Sequence, residues 1–174
     1  SLRTVERYLS AKYPGAEICY FGSSFGGYVL GIYISRKLNS GHKAFMRCGA
    51  VIFPEMILGD VHAEPDPDVM KILDTQGYIE TVIDGQHARF SKEFLEELRA
   101  NSMVEIYDKA KPQNVEIAFV HGEKDPVVPL AEVKAFAEKH GYPISVVPEE
   151  GHSISSSPES PGIVAAKAYE LFMG

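Results

Sequence analysis

A serine stands between two glycines in the pentapeptide GSSFG at residues 22–26. The residues before it, 18–21, are mostly apolar, and the apolar segment after it, 27–34, is long enough for a helix. This order predicts a strand, a sharp turn and a helix, with Ser24 at the tip of the turn. Glycines on both flanks let the backbone crowd together where a side chain would clash. The turn therefore holds the serine hydroxyl out on a strained bend, at the N-terminus of a helix.

Strands alternate with helices along most of the chain. Four short apolar segments are predicted as strands, at residues 16–21, 47–53, 115–121 and 144–147. Helices are predicted at residues 2–13, 26–40, 130–140 and 161–172. The segment 47–53 is too continuously apolar to alternate, which is typical of a parallel strand covered on both faces. The fold class is therefore α/β, a parallel sheet flanked by helices.

Residues 54–111 interrupt this alternation between the second and third predicted strands. Within them, the dipeptide Asp84-Gly85 favours a tight turn, and a hairpin is predicted around it at residues 78–90. Short helices are predicted at residues 66–74, 91–100 and 102–110. We therefore predict a single domain, 1–174, with a cap-like insertion at about 54–111. The apolar residues of the insertion either pack it onto the core or line a pocket for an acyl or aryl group.

The chain has 174 residues and a formal charge of −7. An acidic chain without a run of basic residues argues against nucleic acid or an anionic membrane as a partner. No stretch approaches the roughly 18 apolar residues that span a bilayer, and no signal peptide is recognisable, so a cytoplasmic protein is expected. Cys19 and Cys48 are interpreted as buried free thiols in strands. No Cys/His group has metal-ligand spacing, so neither a metal nor a cofactor is expected.

Two further residues could activate the serine. A serine hydroxyl is a weak nucleophile until a base takes its proton, and a histidine base needs a carboxylate to fix its tautomer. Asp125 follows the third predicted strand and His152 follows the fourth. Because catalytic groups of open α/β sheets gather where the strands end, we expect Ser24, Asp125 and His152 to meet. The backbone N–H of Phe25 would be one oxyanion donor.

Other residues near these positions are weaker candidates. Ser23 is an alternative nucleophile, but it stands one place before the tip of the turn. Glu123 is a competing acid, or a solvated charge in the loop. Glu149 and Glu150 precede the base and are expected to be exposed, where they would only tune its pKa. His121 ends a strand and is expected to hydrogen-bond the backbone of the next loop.

Three segments give the chain a resemblance to the α/β-hydrolase superfamily, in its esterase- and serine-peptidase-like branch: FGSSFGG at 21–27, HGEKDPVVP at 121–129 and GHS at 151–153. The resemblance implies Ser24 as nucleophile, Asp125 as acid and His152 as base. It implies a carboxylic-ester hydrolase that cleaves small acyl or aryl esters through an acyl-enzyme. A thioesterase, peptidase or acyltransferase with the same triad is an alternative, as is a non-catalytic fragment or binding scaffold.

The chain departs from the family before the serine. The family fold has several strands there; one usually lies beside the strand of the elbow, and the loop after another donates the second oxyanion N–H. Only 23 residues precede Ser24, and the first of them is Ser1 rather than Met. We therefore expect an N-terminally incomplete α/β-hydrolase fold, in which only the Phe25 half of the oxyanion hole is present. The exposed edge of the 16–21 strand would be covered by an upstream segment, a second copy or another chain.

Overall fold

The computed structural model describes residues 1–83 and 85–174. Its helices are α1 (Leu2–Lys12), α2 (Phe25–Ser35), α3 (Phe53–Leu58), α4 (Pro67–Gln76), α5 (Lys92–Ala100), α6 (Met103–Ala110), α7 (Leu130–His140) and α8 (Ser160–Met173). Its strands are β1 (Cys19–Ser23), β2 (Lys43–Arg47), β3 (Tyr78–Ile83), β4 (Gln86–Ser91), β5 (Glu116–Gly122) and β6 (Ile144–Val147). Among the described residues, none of the helices combines the length and the apolar character needed to cross a membrane.

The chain divides into two units. The larger unit holds Ser1–Val51 and Met103–Gly174, and the smaller unit is Ile52–Ser102. The larger unit contains the parallel sheet, whose strands follow the order β1-β2-β5-β6. Because all four strands run in the same direction, their carboxyl ends meet at one edge. The predicted fold class is confirmed: a parallel sheet flanked by helices, with an insertion between its second and third strands.

Helices pack on both faces of this sheet. Residues that follow one another along β5 point to opposite faces, as a pleated strand requires. Val120 lies in a buried cluster with Phe45, Val164 and Ala168, which joins the sheet to α8. Phe119 packs its ring against Phe136 of α7, with the ring centroids 6.3 Å apart. The core of the larger unit therefore has two halves, one on each face.

The second strand differs from its prediction. The sequence predicts it at residues 47–53, but β2 is Lys43–Arg47 and α3 begins at Phe53. Cys48 has a φ of 44°, outside the range of a strand, and it is fully buried like Val51. The segment 48–53 is therefore apolar because it is buried, and not because its backbone is extended. After β2 the chain continues through the protein interior. The placement of Cys48 in a strand was wrong for the same reason.

The glycines near the serine have different roles. A β-carbon at Gly22 would lie 2.8 Å from the carbonyl oxygen of Gly26 and 2.9 Å from the Cα of Gly27. At Gly27 it would lie 2.7 Å from the Cα of Gly49, whereas at Gly26 it would meet nothing within 4 Å. The expectation of crowding is therefore right for Gly22 and wrong for Gly26. The second crowded position is Gly27, because α2 touches the chain just beyond β2.

The first strand lies at one edge of the sheet. Among the described residues, β1 pairs with β2 on one side and with no strand on the other. Phe21 in this strand packs against Phe45 and is 51% exposed. An unpaired strand edge offers its backbone N–H and C=O groups to another strand. The segment or chain that covers this edge stays a prediction.

The smaller unit combines a hairpin with three helices. β3 and β4 pair antiparallel, as predicted, and Asp84 of the predicted turn lies outside the described residues. Ser91 caps α5, since its Oγ accepts a hydrogen bond from the Phe94 N–H at 3.2 Å. Leu73, Leu95 and Leu98 are the buried leucines of this unit's helices. The unit ends at Ser102, and α6 packs with α2 in the larger unit.

We expect replacement of Gly22 by alanine to destabilise the fold by about 1–3 kcal/mol, the usual cost of forcing atoms into a close-packed site. The new methyl group would press on backbone atoms of α2, which cannot rotate away. Gly26→Ala is the matched control, because its β-carbon has open space and alanine favours a helix. Urea unfolding followed by circular dichroism measures both. Equal midpoints for the two variants would contradict the close approach at Gly22.

Candidate active site

Ser24 occupies the turn between β1 and α2. Its φ of 53° and ψ of −124° lie outside the regions that non-glycine residues favour. Three backbone hydrogen bonds hold it there: its N–H donates to the Arg47 carbonyl at 3.0 Å, and its carbonyl accepts from Gly27 at 2.9 Å and Ala50 at 3.0 Å. Such a conformation costs of the order of 1–3 kcal/mol and persists only when its surroundings impose it. The serine is therefore fixed by both strand ends and by the helix.

The structure brings the three predicted residues together. His152, in the loop after β6, has its Nε2 2.8 Å from Ser24 Oγ. Its Nδ1 lies 2.8 Å from Asp125 Oδ2, in the loop after β5. The His152 side chain is 15% exposed and that of Asp125 is fully buried. A hydroxyl, an imidazole and a carboxylate thus form one continuous chain of hydrogen bonds, with the hydroxyl at its outer end.

Asp125 is surrounded by hydrogen-bond donors. Its Oδ1 accepts from the backbone N–H of Val127 at 2.9 Å and of Val128 at 3.0 Å. Its Oδ2 contacts His152 and, at 3.1 Å, Nε2 of His121. Burial acts to raise the pKa of this carboxyl, but the hydrogen bonds from His121, His152 and the two backbone N–H groups outweigh it and hold the pKa far below its usual range. These contacts therefore favour the ionised form of Asp125 at neutral pH.

His121 contacts Asp125, and the sequence did not predict this contact. The predicted hydrogen bond to the loop backbone is present, since Nε2 lies 2.9 Å from the Val128 carbonyl. The same nitrogen contacts Asp125, and both acceptors require it to carry the proton. Its side chain is fully buried, and Nδ1 meets no polar partner among residues 1–83 and 85–174. The four-residue spacing between His121 and Asp125 was the only available signal.

The alternative candidates face elsewhere. Ser23 Oγ accepts a hydrogen bond from Arg47 Nε at 3.0 Å. The serine that meets the imidazole is its neighbour, Ser24. Glu123 accepts from the backbone N–H of Glu149 at 3.0 Å. Glu149 also pairs with Lys124 at the surface, in agreement with its expected exposure. Ser24, and not Ser23, contacts Nε2 of His152. Asp125, and not Glu123, contacts its Nδ1.

Glu150 is not the exposed residue that the sequence predicted. It is 3% exposed, and its carboxylate accepts hydrogen bonds from Ser156, through the backbone N–H at 3.1 Å and Oγ at 2.5 Å, and from Ser160 Oγ. These hydrogen bonds, those from the two serine hydroxyls first, lower the pKa of Glu150 to about 2. Because Ser160 begins α8, Glu150 ties the loop of the base to the last helix. Its isolated position in a polar loop gave no sign of this role.

The loops of Asp125 and His152 also touch directly. The Lys124 N–H donates to the Glu150 carbonyl at 2.8 Å. A β-carbon at Gly122 would collide with the carbonyl oxygens of Glu150 and Gly151. The side chain of Ile154, two residues beyond His152, is buried in the core of the larger unit. His152 is therefore placed by contacts on both sides of it, although it belongs to no helix or strand.

Phe25 is the first residue of α2, directly after Ser24. Its N–H therefore belongs to the first turn, at the positive end of the helix dipole, where negative charge is stabilised. Its ring stacks on Tyr28 with the centroids 5.8 Å apart and is partly exposed. This position suits the predicted role of its N–H as an oxyanion donor.

Cys48 lies beside Asp125 and His152. One ligand atom each of Cys48, Asp125 and His152 falls within 4.8 Å of the others. Burial is the main reason why the pKa of the thiol is raised to about 12, and the nearby Asp125 carboxylate raises it further. A backbone hydrogen bond involving Gly122 acts in the opposite direction. A metal here would have to ionise this thiol and break the hydrogen bond between Asp125 and His152. The donor set therefore suits a proton relay better than a metal.

Comparison with known proteins identifies the architecture. No protein-family model matches the chain, and no curated protein matches it by sequence. Est1E from Butyrivibrio proteoclasticus, solved with ferulic acid bound, is similar with a TM-score of 0.72 and 17% identity over 99% of this chain and 67% of its own. The esterase domain of a Rhodothermus marinus protein gives a TM-score of 0.67 and 17% identity, over 97% of this chain and 66% of its own.

A monoacylglycerol lipase from Paleococcus ferrophilus is also similar, with a TM-score of 0.61 and 16% identity over 98% of this chain and 73% of its own. The chain thus spans about two thirds of the length of Est1E and of the esterase domain. Likeness at this level of identity concerns the fold and leaves the activity to be argued from the site. The chain has the α/β-hydrolase fold, of which it contains a part.

Proposed function

We propose that the protein is a serine hydrolase that cleaves small acyl or aryl carboxylic esters. The observation that carries this proposal is the line of hydrogen bonds from Ser24 Oγ through His152 to Asp125, at 2.8 Å and 2.8 Å. Both contacts lie within the range in which a base can take a proton from a nucleophile. Neither a metal nor an organic cofactor enters the proposed reaction.

The first half of the reaction forms an acyl-enzyme. Ser24 Oγ attacks the acyl carbon while His152 Nε2 takes the hydroxyl proton. Asp125 keeps the other proton of the ring on Nδ1, so Nε2 is free to act as the base, and its charge stabilises the imidazolium. The negative oxygen of the tetrahedral intermediate is held by the Phe25 N–H and a second donor. The intermediate then expels the alcohol, which takes its proton from His152 Nε2.

The second half of the reaction regenerates the serine. A water molecule loses a proton to His152 Nε2 and attacks the acyl carbon of the ester on Ser24. The second tetrahedral intermediate breaks its bond to Ser24 Oγ, which recovers a proton from His152. The carboxylic acid leaves, and hydrogen bonds and charges return to their starting state. Asp125 remains ionised throughout, in agreement with its strongly lowered pKa.

The rate of substrate turnover depends on a second oxyanion donor. The superfamily resemblance assigns that donor to a loop before the elbow strand, and only the Phe25 N–H is assigned in this chain. Loss of one donor typically costs about 10²–10³ in turnover. We therefore expect slow turnover from the 174-residue chain, and faster turnover if a covering segment or partner supplies the second N–H.

The solved structures that share this fold favour an ester substrate over the other acyl substrates. The similar structures include an esterase domain, a monoacylglycerol lipase and a protein bound to ferulic acid. A thioesterase, peptidase or acyltransferase would use the same triad, and a non-catalytic scaffold would keep its geometry without reaction. The cap-like role of the insertion, the cytoplasmic location and a partner at the β1 edge stay predictions.

Ser24→Ala should abolish hydrolysis of p-nitrophenyl acetate and butyrate, because it removes the hydroxyl that meets the imidazole of His152. Ser35→Ala, at the far end of α2, is the matched control and should keep the activity. A fluorophosphonate probe, followed by peptide mass mapping, should label Ser24 in the unmodified chain. Folded protein that neither reacts with the probe nor cleaves esters would support the scaffold alternative.

Asp125→Asn should lower kcat by about 10³–10⁴, because an amide can donate to Nδ1 and so favours the wrong tautomer of His152. The KM should change little, since the Asp125 side chain is fully buried. Initial rates with p-nitrophenyl butyrate measure both constants. A variant with more than a tenth of the original kcat would contradict the role of Asp125.

Glu150→Gln should destabilise the fold at neutral pH and lose this effect in acid. The folded pKa of about 2 lies below the usual value near 4.3, so the ionised carboxylate stabilises the fold above about pH 5. This stabilisation disappears as the pH falls from about 4 to 2. Urea unfolding at pH 7 and pH 3 measures the change. The neighbouring Glu149→Gln is the control, and an equal pH response of both variants would contradict the assignment.

A further inference from the structure

Arg47 contacts the neighbours of both the nucleophile and the base. It ends β2, directly beside Ser23 in the register of the sheet. Its Nε donates to Ser23 Oγ at 3.0 Å, and Nη2 donates to the same oxygen. Its Nη1 donates to the Ser153 carbonyl at 2.5 Å. Ser23 precedes Ser24 and Ser153 follows His152, so one guanidinium spans two segments that are about 130 residues apart in the sequence.

The backbone of Arg47 joins the same arrangement. Its carbonyl accepts the hydrogen bond from the Ser24 N–H at 3.0 Å. The turn of the nucleophile is thus held twice by one residue, through its main chain and its side chain.

The chemistry of arginine suits this task. A guanidinium is planar, always charged, and presents its N–H groups in fixed directions, so two acceptors held by it are also held relative to each other. Hydrogen bonds from a charged donor are shorter and stronger than neutral ones. A lysine ammonium can also donate to two acceptors, but its N–H groups rotate on a flexible stem and do not fix the acceptors relative to each other. Arg47 therefore constrains a distance, in addition to supplying a charge.

The distance that it constrains is the one on which the proposed reaction depends. Ser24 sits in a strained turn, and His152 sits in a loop outside any helix or strand. Their 2.8 Å contact is sensitive to small movements of either segment. A misplacement of about 1 Å can cost 10²-fold in rate.

We propose that Arg47 is a positioning residue, which ties Ser23 to Ser153 and thereby sets the distance between Ser24 and His152. It does not touch the reacting atoms. This role rests on the proposed hydrolase function and adds a residue to it. The sequence placed Arg47 at the start of a predicted strand and assigned it no role.

Arg47→Met should lower kcat by about 10–100-fold with little change in KM, in keeping with the cost of a small misplacement. Lys43→Met is the matched control, because Lys43 lies four residues earlier on the same strand and donates to the Phe172 carbonyl at 3.1 Å. It should lower stability without changing kcat of the folded protein. Urea unfolding of both variants separates lost folding from lost positioning.

Two further variants separate geometry from charge. Arg47→Lys keeps the charge and should recover only part of kcat. Arg47→Ala leaves a gap that added ethylguanidinium should fill, raising kcat several-fold, while ethylammonium should not. Full recovery by Arg47→Lys, or no loss in Arg47→Met, would overturn the proposal.

A double-mutant cycle tests the specific contact. Ser23→Ala removes the acceptor of Nε and Nη2, so its effect and that of Arg47→Met should overlap. The double variant should be less impaired than the product of the two single losses predicts. Independent, multiplying effects would show that Arg47 does not act through Ser23.

A readout without turnover keeps this inference apart from the proposed function. The proton between His152 Nδ1 and Asp125 should give a low-field NMR resonance, which reports the alignment of the ring. We expect it to broaden or shift in Arg47→Met and to stay in place in Lys43→Met. An inactive and unlabelled original chain would refute the hydrolase function alone. A resonance unchanged by Arg47→Met would refute the role of Arg47, whatever the activity.

Discussion

A carboxylate with no exposed surface constrains the whole carboxyl edge of the sheet. A buried charge costs several kcal/mol unless donors surround it. Asp125 takes its donors from its own loop, from His121 at the end of β5 and from His152 beyond β6. The need to satisfy one group thus fixes the positions of a strand end and two loops. The imidazole, once held at Nδ1, has only its other nitrogen left to meet Ser24.

Ser24 is held by a different means, the close approach of backbones. Gly22 and Gly27 leave no room for side chains where β1, α2 and the chain after β2 meet. This crowding, with the hydrogen bond from Ser24 to Arg47, keeps the serine at a positive φ that it would not adopt alone. Charge organises Asp125 and His152, whereas steric fit organises Ser24. Arg47 contacts both parts, which is why its side chain is a sensitive place to test the site.

Local patterns predicted those parts of the fold whose causes are local. The turn chemistry around Ser24 and the alternation of strands and helices predicted the parallel sheet, the hairpin and the strand-end positions of Ser24, Asp125 and His152. The second strand was placed several residues too late, because apolar character reports burial and β2 leads into a buried segment that is not extended. Glu150 was expected to be exposed, because its partners Ser156 and Ser160 become partners only after the loop folds back.

The sequence by itself determined the order of the elements and the residue types available at each strand end, since these depend on periodicity and turn chemistry along the chain. Tertiary structure decided which of these residues meet. The hydrogen bond from Arg47 to the Ser153 carbonyl joins two segments that no local pattern relates. The physical reason is that hydrogen bonds of buried groups depend on distances across the sheet, which are set only when the strands pair and the loops pack.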